Sequence, residues 1–392
     1  MNRIKEIFLN QWLHGFKALY FAILICFSII AFYNLDAGSW MSGDSITFYS
    51  PMSDYLLEKN FNFFEYFKKG SGTWININYV YTLPVFLMAL TKIFFGTDWQ
   101  YAFMIFNLFL IFLSLIIFSK SLLLLNVRPL VISLAMPIIC LSVDLLTWPR
   151  YILSDTIFSF LVISSVYFIV KNIIKEKENY FLVTLLMILM FLTRPTSLPY
   201  IFAICLFILI SKSSFVFKSK LIIIFIFSLI ILTPIIFSIL HHFMELYLTD
   251  IKQVDKLLRE VKIGVVIGDR PDTWVEPPST YFDIVYLYFI RMISFFNPNA
   301  SEFSIIHTIL NIFQTFIMVF SIIIWSYLNE NIQPINKTFF FVMLLSLSVT
   351  AFHSFTIIDY DWRYRFPLIL PLIMLFPISI EILIRKINFK YY

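Results

Sequence analysis

Long apolar segments constrain this chain more than any other feature of its sequence. Several of them reach the ~18 apolar residues that suggest a membrane-spanning helix. Only 14% of the 392 residues are charged, against about 25% in a typical soluble domain. The sequence therefore predicts an all-α polytopic membrane protein. The eleven candidate segments are residues 18–34, 79–95, 101–119, 129–146, 156–170, 180–193, 198–211, 221–240, 304–328, 338–355 and 367–384.

The distribution of basic residues indicates how many of these segments cross the membrane. If all eleven cross from a cytoplasmic N-terminus, the basic clusters within 120–128, 171–177 and 212–220 fall outside. This arrangement inverts the positive-inside rule at each short loop. If the segment 79–95 lies in the interface instead, those clusters and the basic C-terminal tail all fall inside.

The segment 79–95 has the features of an interfacial helix rather than a span. It is short, it is interrupted by Pro84 and Lys92, and Gly96 ends it. We therefore expect about ten spans, both termini in the cytoplasm, and two long outward loops at 36–100 and 241–303. The basic N-terminus leads into an apolar run with no evident cleavage site, which we interpret as an uncleaved first helix.

Charge and cysteine usage exclude some other classes of protein. The net charge of +5 comes from Lys and Arg at segment ends, which is a topology signal and predicts no nucleic-acid partner. The three cysteines all lie inside apolar runs, with no disulfide framework and no Cys/His metal spacing.

The stretch after the first span, WMSGDSITFYSPMSDY from Trp40 to Tyr55, carries two carboxylates, Asp44 and Asp54, just outside the membrane. Asp44 could lie at the floor of an outward-facing active site. It could equally cap an interfacial helix, because Gly-Asp-Ser is a good helix-start signal. The sequence of this stretch alone does not separate the two interpretations.

Arginine and aspartate gather at the predicted outer ends of the spans, whereas lysine fills the inner face. Arginine can hold a phosphate bidentately, whereas lysine acts as a point charge. The asymmetry suggests an outward pocket for a phosphate with carboxylates nearby, although arginine can also serve as a membrane anchor. The adjacent His241 and His242 are a weak metal signal, and His307 and His353 are more simply core residues. The outward set comprises Asp44, Asp54, Arg150, Asp155, Arg194, Arg291, Asp359, Asp361, Arg363 and Arg365.

Several short patches resemble the membrane glycosyltransferases of the GT-C fold. That superfamily includes protein O-mannosyltransferases, aminoarabinose transferases and RgtA/B/C/D-like transferases. The resemblance covers most of the chain in architecture but only short patches in sequence. The order of the patches along the chain and their shared predicted side of the membrane support the resemblance more than any single patch does. The patches are an acidic first outward loop, a proline-containing interfacial helix, R-x-x-x-S-D (Arg150, Ser154, Asp155), T-R-P-T (193–196) and R-Y-R-F-P-L-I-L-P (363–371).

The resemblance implies a sugar transferase that uses a polyprenyl-phosphate-linked donor and a glycan or lipid acceptor in the cell envelope. It implies an integral protein of the bacterial inner (plasma) membrane, with its active site facing outward. It divides the chain into a catalytic module at 1–240, a second outward loop at 241–303 and C-terminal helices at 304–392. The chain differs from the family in having no sizeable soluble C-terminal domain. It also has Gly-Asp-Ser where some branches have two adjacent acids, so a divalent metal is left open.

Roles for individual residues follow from the same resemblance. Asp44 would be the general base or would orient the acceptor, and Asp155 would support the acceptor or a metal. Arginines at the mouth would hold the donor phosphate, or would instead brace the carboxylates. The implied substrate-binding residues are Arg363, Arg365, Arg291, Arg150, Arg194 and Tyr49.

Two other classes remain as alternatives. A transporter or flippase of lipid-linked glycans would also use aromatic loops and basic residues, but it would place polar groups near the midplane on broken helices of related halves. An O-antigen polymerase or ligase would concentrate its arginines in one large outward loop, whereas this chain spreads them over several.

Overall fold

The computed structural model describes residues 2–69, 78–175, 180–212, 219–268, 270–299, 304–328, 332–356 and 362–389. The structure is 85% helical, and the described residues contain no β-strand, which confirms the all-α prediction. The α-helices within these ranges are α1 Asn2–Ala37, α2 Ser50–Glu58, α3 Phe63–Lys68, α4 Thr82–Phe95, α5 Trp99–Leu124, α6 Pro129–Ser133, α7 Ala135–Cys140, α8 Val143–Thr147, α9 Asp155–Lys175, α10 Phe181–Phe191, α11 Leu198–Ser211, α12 Ser219–Tyr247, α13 Lys252–Lys262, α14 Tyr281–Ser294, α15 Ile305–Leu328, α16 Gln333–Thr356 and α17 Phe366–Phe389.

Within the described ranges, seven helical stretches are long and apolar enough to cross a membrane. An eighth crossing is reached if the pair Pro129–Cys140 and Val143–Arg150, which is bent by 70°, forms one broken span. The protein is thus an integral membrane protein by the length and composition of its helices. Ten spans would need α10 and α11 as well, and these have only 11 and 14 residues.

The segment expected to lie in the interface forms α4, which the 3₁₀ turn Gly96–Asp98 joins to α5. Together they belong to one helical stretch of 47 residues, Asn78–Leu124, which would be about 70 Å long if straight. Gly96 interrupts it with a φ of 53°, a backbone conformation that glycine adopts at little cost. α4 alone has 14 residues, or about 21 Å, which is less than the ~30 Å hydrocarbon core.

The chain divides into two compact units. The first comprises residues 1–201, 316–328 and 366–392. In it α9 packs against α5 and α10, and the final helix α17 packs against α5, α7 and α9. The second unit comprises residues 202–315 and 329–365, in which α14 packs against α12 and α16. The division into a catalytic module, an outward loop and C-terminal helices stays a prediction.

A buried carboxylate on α17 ties this last helix to the link between α5 and α6. Glu381 accepts hydrogen bonds from the backbone N of Arg128 at 3.1 Å and from its Nε at 3.0 Å. It also accepts one from Nε of Arg385 at 3.0 Å. Nη2 of Arg385 in turn donates to the carbonyl of Asn126 at 2.6 Å. We call these four residues the Glu381 clamp.

Candidate functional site

The loop that follows α1 is paired through its backbone with the segment that precedes α9. The N–H of Trp40 donates to the carbonyl of Arg150 at 2.9 Å, and the N–H of Ile152 donates to the carbonyl of Trp40 at 3.0 Å. The hydroxyl of Ser45 adds a hydrogen bond to the carbonyl of Ile152 at 2.7 Å. Two predicted parts of the site, more than 100 residues apart in sequence, are therefore held together. We call the paired residues 40–49 and 150–155 the loop junction.

Asp44 is exposed at the loop junction and does not cap the helical turn that it begins. The turn Ser45–Tyr49 is π-helical, and the side chain of Asp44 makes no capping hydrogen bond. Ser42 takes this role instead, because its Oγ accepts from the N–H of Ser45 at 3.3 Å. The prediction of a helix start here is confirmed, but the interpretation of Asp44 as its cap is wrong.

Tyr49 is a buried element of the loop junction. Its hydroxyl lies 3.0 Å from Oγ of Ser154, and both side chains are buried. Its ring packs edge-on against that of Tyr81, with centroids 5.9 Å apart. Tyr49 was expected to bind substrate, and the structure places its hydroxyl against Ser154, directly before the first residue of α9.

Asp155 and Arg194 form a buried ion pair at the start of α9. Nη1 of Arg194 donates to Oδ1 of Asp155, and only 5% and 1% of the two side chains are exposed. Arg194 is extended, as expected for a residue before proline. A carboxylate in the first turn also interacts favourably with the helix dipole. Bracing a carboxylate is one of the two roles expected for Arg194. This burial suits a positioning pair rather than a pair that receives a substrate directly.

Arg150 is arranged differently from Arg194. Its guanidinium lies 5.9 Å from the ring centre of Trp40 and 5.5 Å from that of Tyr151, within the range of cation–π attraction. Its Nε is buried without a hydrogen-bond partner. Within the described ranges its side chain makes neither an ion pair nor a hydrogen bond.

Two asparagines that the sequence analysis did not select brace the same region. Nδ2 of Asn107, on α5, donates to the carbonyls of Pro149 and Tyr151, both at 3.1 Å. Nδ2 of Asn34, on α1, donates to the carbonyl of Leu146 at 2.8 Å. A single amide inside an apolar run is the only sequence signal that could have identified them.

Asp54, the second carboxylate of the first predicted outward loop, is engaged in an ion pair. Nζ of Lys92 lies 2.7 Å from Oδ1 of Asp54. The same Nζ donates to the carbonyl and Oγ of Ser50, at 3.0 and 2.9 Å. These contacts join α2 to α4.

In the second unit, Arg291 is completely buried on α14. Its Nε donates to the carbonyl of Val265 at 2.8 Å and its Nη1 donates to that of Ser354 at 3.4 Å. It lies 5.2 Å from the ring centre of Tyr288. Burial raises the pKa of Tyr288 to about 12, against the opposing effect of the Arg291 charge.

The helix α14 lies within residues 241–303, which were predicted to form the second outward loop. Thr280 and Asp283 form a capping box at its start. Hydrogen bonds from the side chain and the backbone N–H of Thr280, and from Ser279, lower the pKa of the Asp283 carboxyl.

The other two predicted site arginines of the second unit, Arg363 and Arg365, lie before α17. Nη1 of Arg365 donates to the carbonyl of Asn297 at 3.0 Å. Arg363 belongs to the 3₁₀ turn Trp362–Tyr364. The neighbouring acids Asp359 and Asp361 lie outside the described residues. Asp44, Tyr49, Arg150, Asp155 and Arg194 thus belong to the first unit, and Arg291, Arg363 and Arg365 to the second.

Among the described residues, no three His, Cys, Asp or Glu side chains gather closely enough to hold a metal ion. His241 and His353 are buried on helices of the second unit. His353 stacks on Phe295, with ring centres 5.4 Å apart. Searches of protein-family models, of curated proteins and of solved structures found no match to this chain.

Proposed function

We propose that this protein is a membrane glycosyltransferase that moves a sugar from a polyprenyl-phosphate donor to a glycan or lipid acceptor of the cell envelope. The observation that carries the proposal is the loop junction. It holds the segment that carries the exposed Asp44 beside the segment that leads into the Asp155–Arg194 pair. The resemblance of the 150–155 and 193–196 patches to GT-C enzymes supports it further.

The proposed sugar transfer needs one general base and positively charged side chains. The acceptor hydroxyl oxygen attacks the anomeric carbon of the donor sugar, and the bond from that carbon to the phosphate oxygen breaks with inversion. The phosphate leaves with the bonding electron pair, and the acceptor proton passes to the carboxylate of Asp44. A base must lie within hydrogen-bond reach of the acceptor, and exposure of Asp44 permits this. Cationic side chains stabilise the charge that develops on the leaving phosphate.

The buried pair has a supporting role in this scheme. Asp155 and Arg194 fix the start of α9, and Tyr49 fixes the preceding residue Ser154. Together they hold the loop junction, and with it Asp44, in a constant position. Preorganisation of this kind matters because small displacements of a catalytic group can cost large factors in rate.

The test of the mechanism is Asp44→Asn. Removal of a general base is expected to lower sugar transfer by about 10²- to 10⁴-fold, at unchanged expression, in membranes supplied with a polyprenyl-phosphate sugar and acceptor. The matched control is Asp98→Asn, which changes an exposed acid in the same predicted loop and should retain full activity.

Full transfer by Asp44→Asn would remove Asp44 from the mechanism. Movement of lipid-linked sugar across reconstituted vesicles without any transfer would favour the transporter alternative.

The proposal includes a GT-C-like topology of ten spans with both termini in the cytoplasm and the site outside. α10 and α11 would then cross a locally thin region, because 11 and 14 residues span only about 17 and 21 Å. Single cysteines at Asp98 and Lys120 test it, since both residues are exposed and lie near opposite ends of α5. With the native cysteines replaced by serine, an impermeant thiol reagent added to intact cells should label position 98 only. Labelling of position 120 would contradict the proposed sidedness.

A further inference from the structure

Four buried hydroxyl groups follow the two members of the Asp155–Arg194 pair closely in sequence. None of the four has a hydrogen-bond partner in the part of the chain that the structure describes, and at most 1% of each residue is exposed. Buried polar groups almost always have a partner, which is either a protein group or ordered water. The four residues are Thr156 and Ser159 on α9, Ser197 in the 3₁₀ turn Pro195–Ser197, and Tyr200 on α11.

The hydroxyl of Ser159 differs from other hydroxyls on the same helix. Ser165, for example, donates to the carbonyl of Leu161, one turn earlier, at 2.9 Å. The equivalent acceptor for Ser159 is the carbonyl of Asp155, and among the described residues this bond is not made. Because Asp155 and Ser159 are four residues apart, their side chains lie on the same face of α9. The hydroxyl of Ser159 is therefore available to a partner on the side of the ion pair.

The hydroxyl of Tyr200 lies near the same pair. The ring of Tyr200 packs edge-on against that of Phe158, with centroids 4.9 Å apart, and the guanidinium of Arg194 lies 5.7 Å from the centre of the Phe158 ring. The charges of Arg194 and Asp155 both act on the Tyr200 hydroxyl. Ser197 precedes Tyr200 by three residues, so the two side chains are neighbours on one face of the helical turn.

The charge and the enclosure of this place select a small neutral ligand. Arg194 neutralises the carboxylate of Asp155, so the pair offers no net charge to attract a cation or an anion. The burial of all four hydroxyls excludes a large molecule. A hydroxyl can both donate and accept a hydrogen bond, and water is the smallest neutral molecule that does the same. A buried water typically makes about three hydrogen bonds to otherwise unsatisfied polar groups.

We propose that these four hydroxyls bind ordered water that hydrates the Asp155–Arg194 pair. The water connects the pair to α9 and α11, and it favours the ionised forms of both side chains inside an apolar unit, where unsatisfied charge is costly. The inference goes beyond the proposed function, because it concerns how the protein holds a buried ion pair whatever reaction it performs.

The first test is Tyr200→Phe, measured by thermal unfolding of the purified full-length protein in detergent. If the hydroxyl binds water, its removal deletes a hydrogen bond and the midpoint temperature should fall. If the hydroxyl is bare, its removal relieves the cost of burying an unsatisfied group, and the midpoint should stay the same or rise. An unchanged or higher midpoint would therefore overturn the proposal.

A matched pair of serines on α9 repeats the test without a change of ring packing. Ser159→Ala and Ser165→Ala alter the helix propensity of α9 by the same amount, and Ser165 loses a hydrogen bond of known geometry. If Ser159 binds water, the two midpoints should agree closely. A midpoint for Ser159→Ala well above that for Ser165→Ala would show that the Ser159 hydroxyl is unsatisfied and would contradict the proposal.

Two further measurements identify the partner. A cryo-electron microscopy map that resolves ordered water should show a peak within hydrogen-bond distance of the Tyr200 hydroxyl. A protein group in that position would overturn the proposal. In the background of Asp155→Leu with Arg194→Met, the fall caused by Tyr200→Phe should be smaller, because the water has lost the pair as a partner. The same fall in both backgrounds would show that the water does not contact the pair.

Discussion

Arg194 and Arg291 are both buried arginines, one in each compact unit, and the protein accommodates them in different ways. Arg194 is paired with the carboxylate of Asp155. Arg291 donates to the main-chain carbonyls of Val265 and Ser354. The ion pair depends on the identity of one other side chain, whereas the carbonyls are present whatever residues occupy those positions. The partner of Arg194 can therefore be recognised in the sequence as a residue of opposite charge, whereas the carbonyl partners of Arg291 cannot be recognised there.

Among the variants considered, Asp155→Asn is expected to lower the stability of the protein most. The change leaves the charge of Arg194 buried without its partner carboxylate, which typically costs about 3–5 kcal/mol. Thermal unfolding of the purified protein in detergent should show a large fall in midpoint temperature, with Asp98→Asn as the control. An unchanged midpoint would mean that the pair does not stabilise the first unit.

A double variant sharpens the same comparison. Asp155→Leu with Arg194→Met replaces the pair by apolar side chains, which is often close to neutral for stability. Its midpoint should lie well above that of Asp155→Asn alone. If the double variant is as unstable as the single one, the cost comes from packing at the start of α9 rather than from an unpaired charge.

Arg291→Gln should lower the stability of the second unit by an intermediate amount. It removes charge-assisted hydrogen bonds to two carbonyls, worth about 1.5–3 kcal/mol. The loop around Val265 would lose its anchor to α14, so limited proteolysis within residues 263–275 should become faster. Arg259→Gln, on the exposed face of α13, is the control. Equal cleavage of the two variants would show that Arg291 does not hold this loop.

Tyr49→Phe should have the smallest effect on stability. It deletes one hydroxyl, which contacts Ser154 at 3.0 Å, and a single neutral hydrogen bond contributes about 1 kcal/mol. If the loop junction positions Asp44, sugar transfer should fall further than this loss of stability explains, with kcat affected more than KM. A variant that loses stability and transfer in the same small proportion would make Tyr49 only a packing residue.

Hydrophobicity predicted the all-α class and the presence of membrane-spanning helices, whereas the ten spans and the sidedness that the charges indicated stay predictions. The long apolar runs became helices because unpaired backbone groups are too costly inside lipid. The break between α7 and α8 was not predicted, because residues 129–146 were interpreted as one apolar segment despite Ser142 and Asp144 within it. The backbone turns there at Ser142, which is extended between two short helices, and an apolar pattern does not encode such a bend.

Part of the candidate site was predictable because its charged residues stand out in an apolar sequence. Asp44, Asp155 and Arg194 stood out because charges are rare in such a sequence. The roles of Asn34 and Asn107 depend on carbonyls 112 and 42 to 44 positions away, and no local pattern encodes those distances. Whether Asp44 caps a helix was also undecidable from sequence, because Ser42 and Asp44 are both good capping residues.

The Glu381 clamp has a consequence for how the protein is made. α17 is synthesised after α5, α7 and α9, yet it packs against all three and joins Arg128 through Glu381. The surface of these helices that α17 covers must therefore stay uncovered in the bilayer while the 190 residues between α9 and α17, 176–365, are synthesised. Chains that stop before α17 would expose that surface to the quality-control proteases of the membrane, so truncation ahead of α17 should remove the protein rather than merely shorten it.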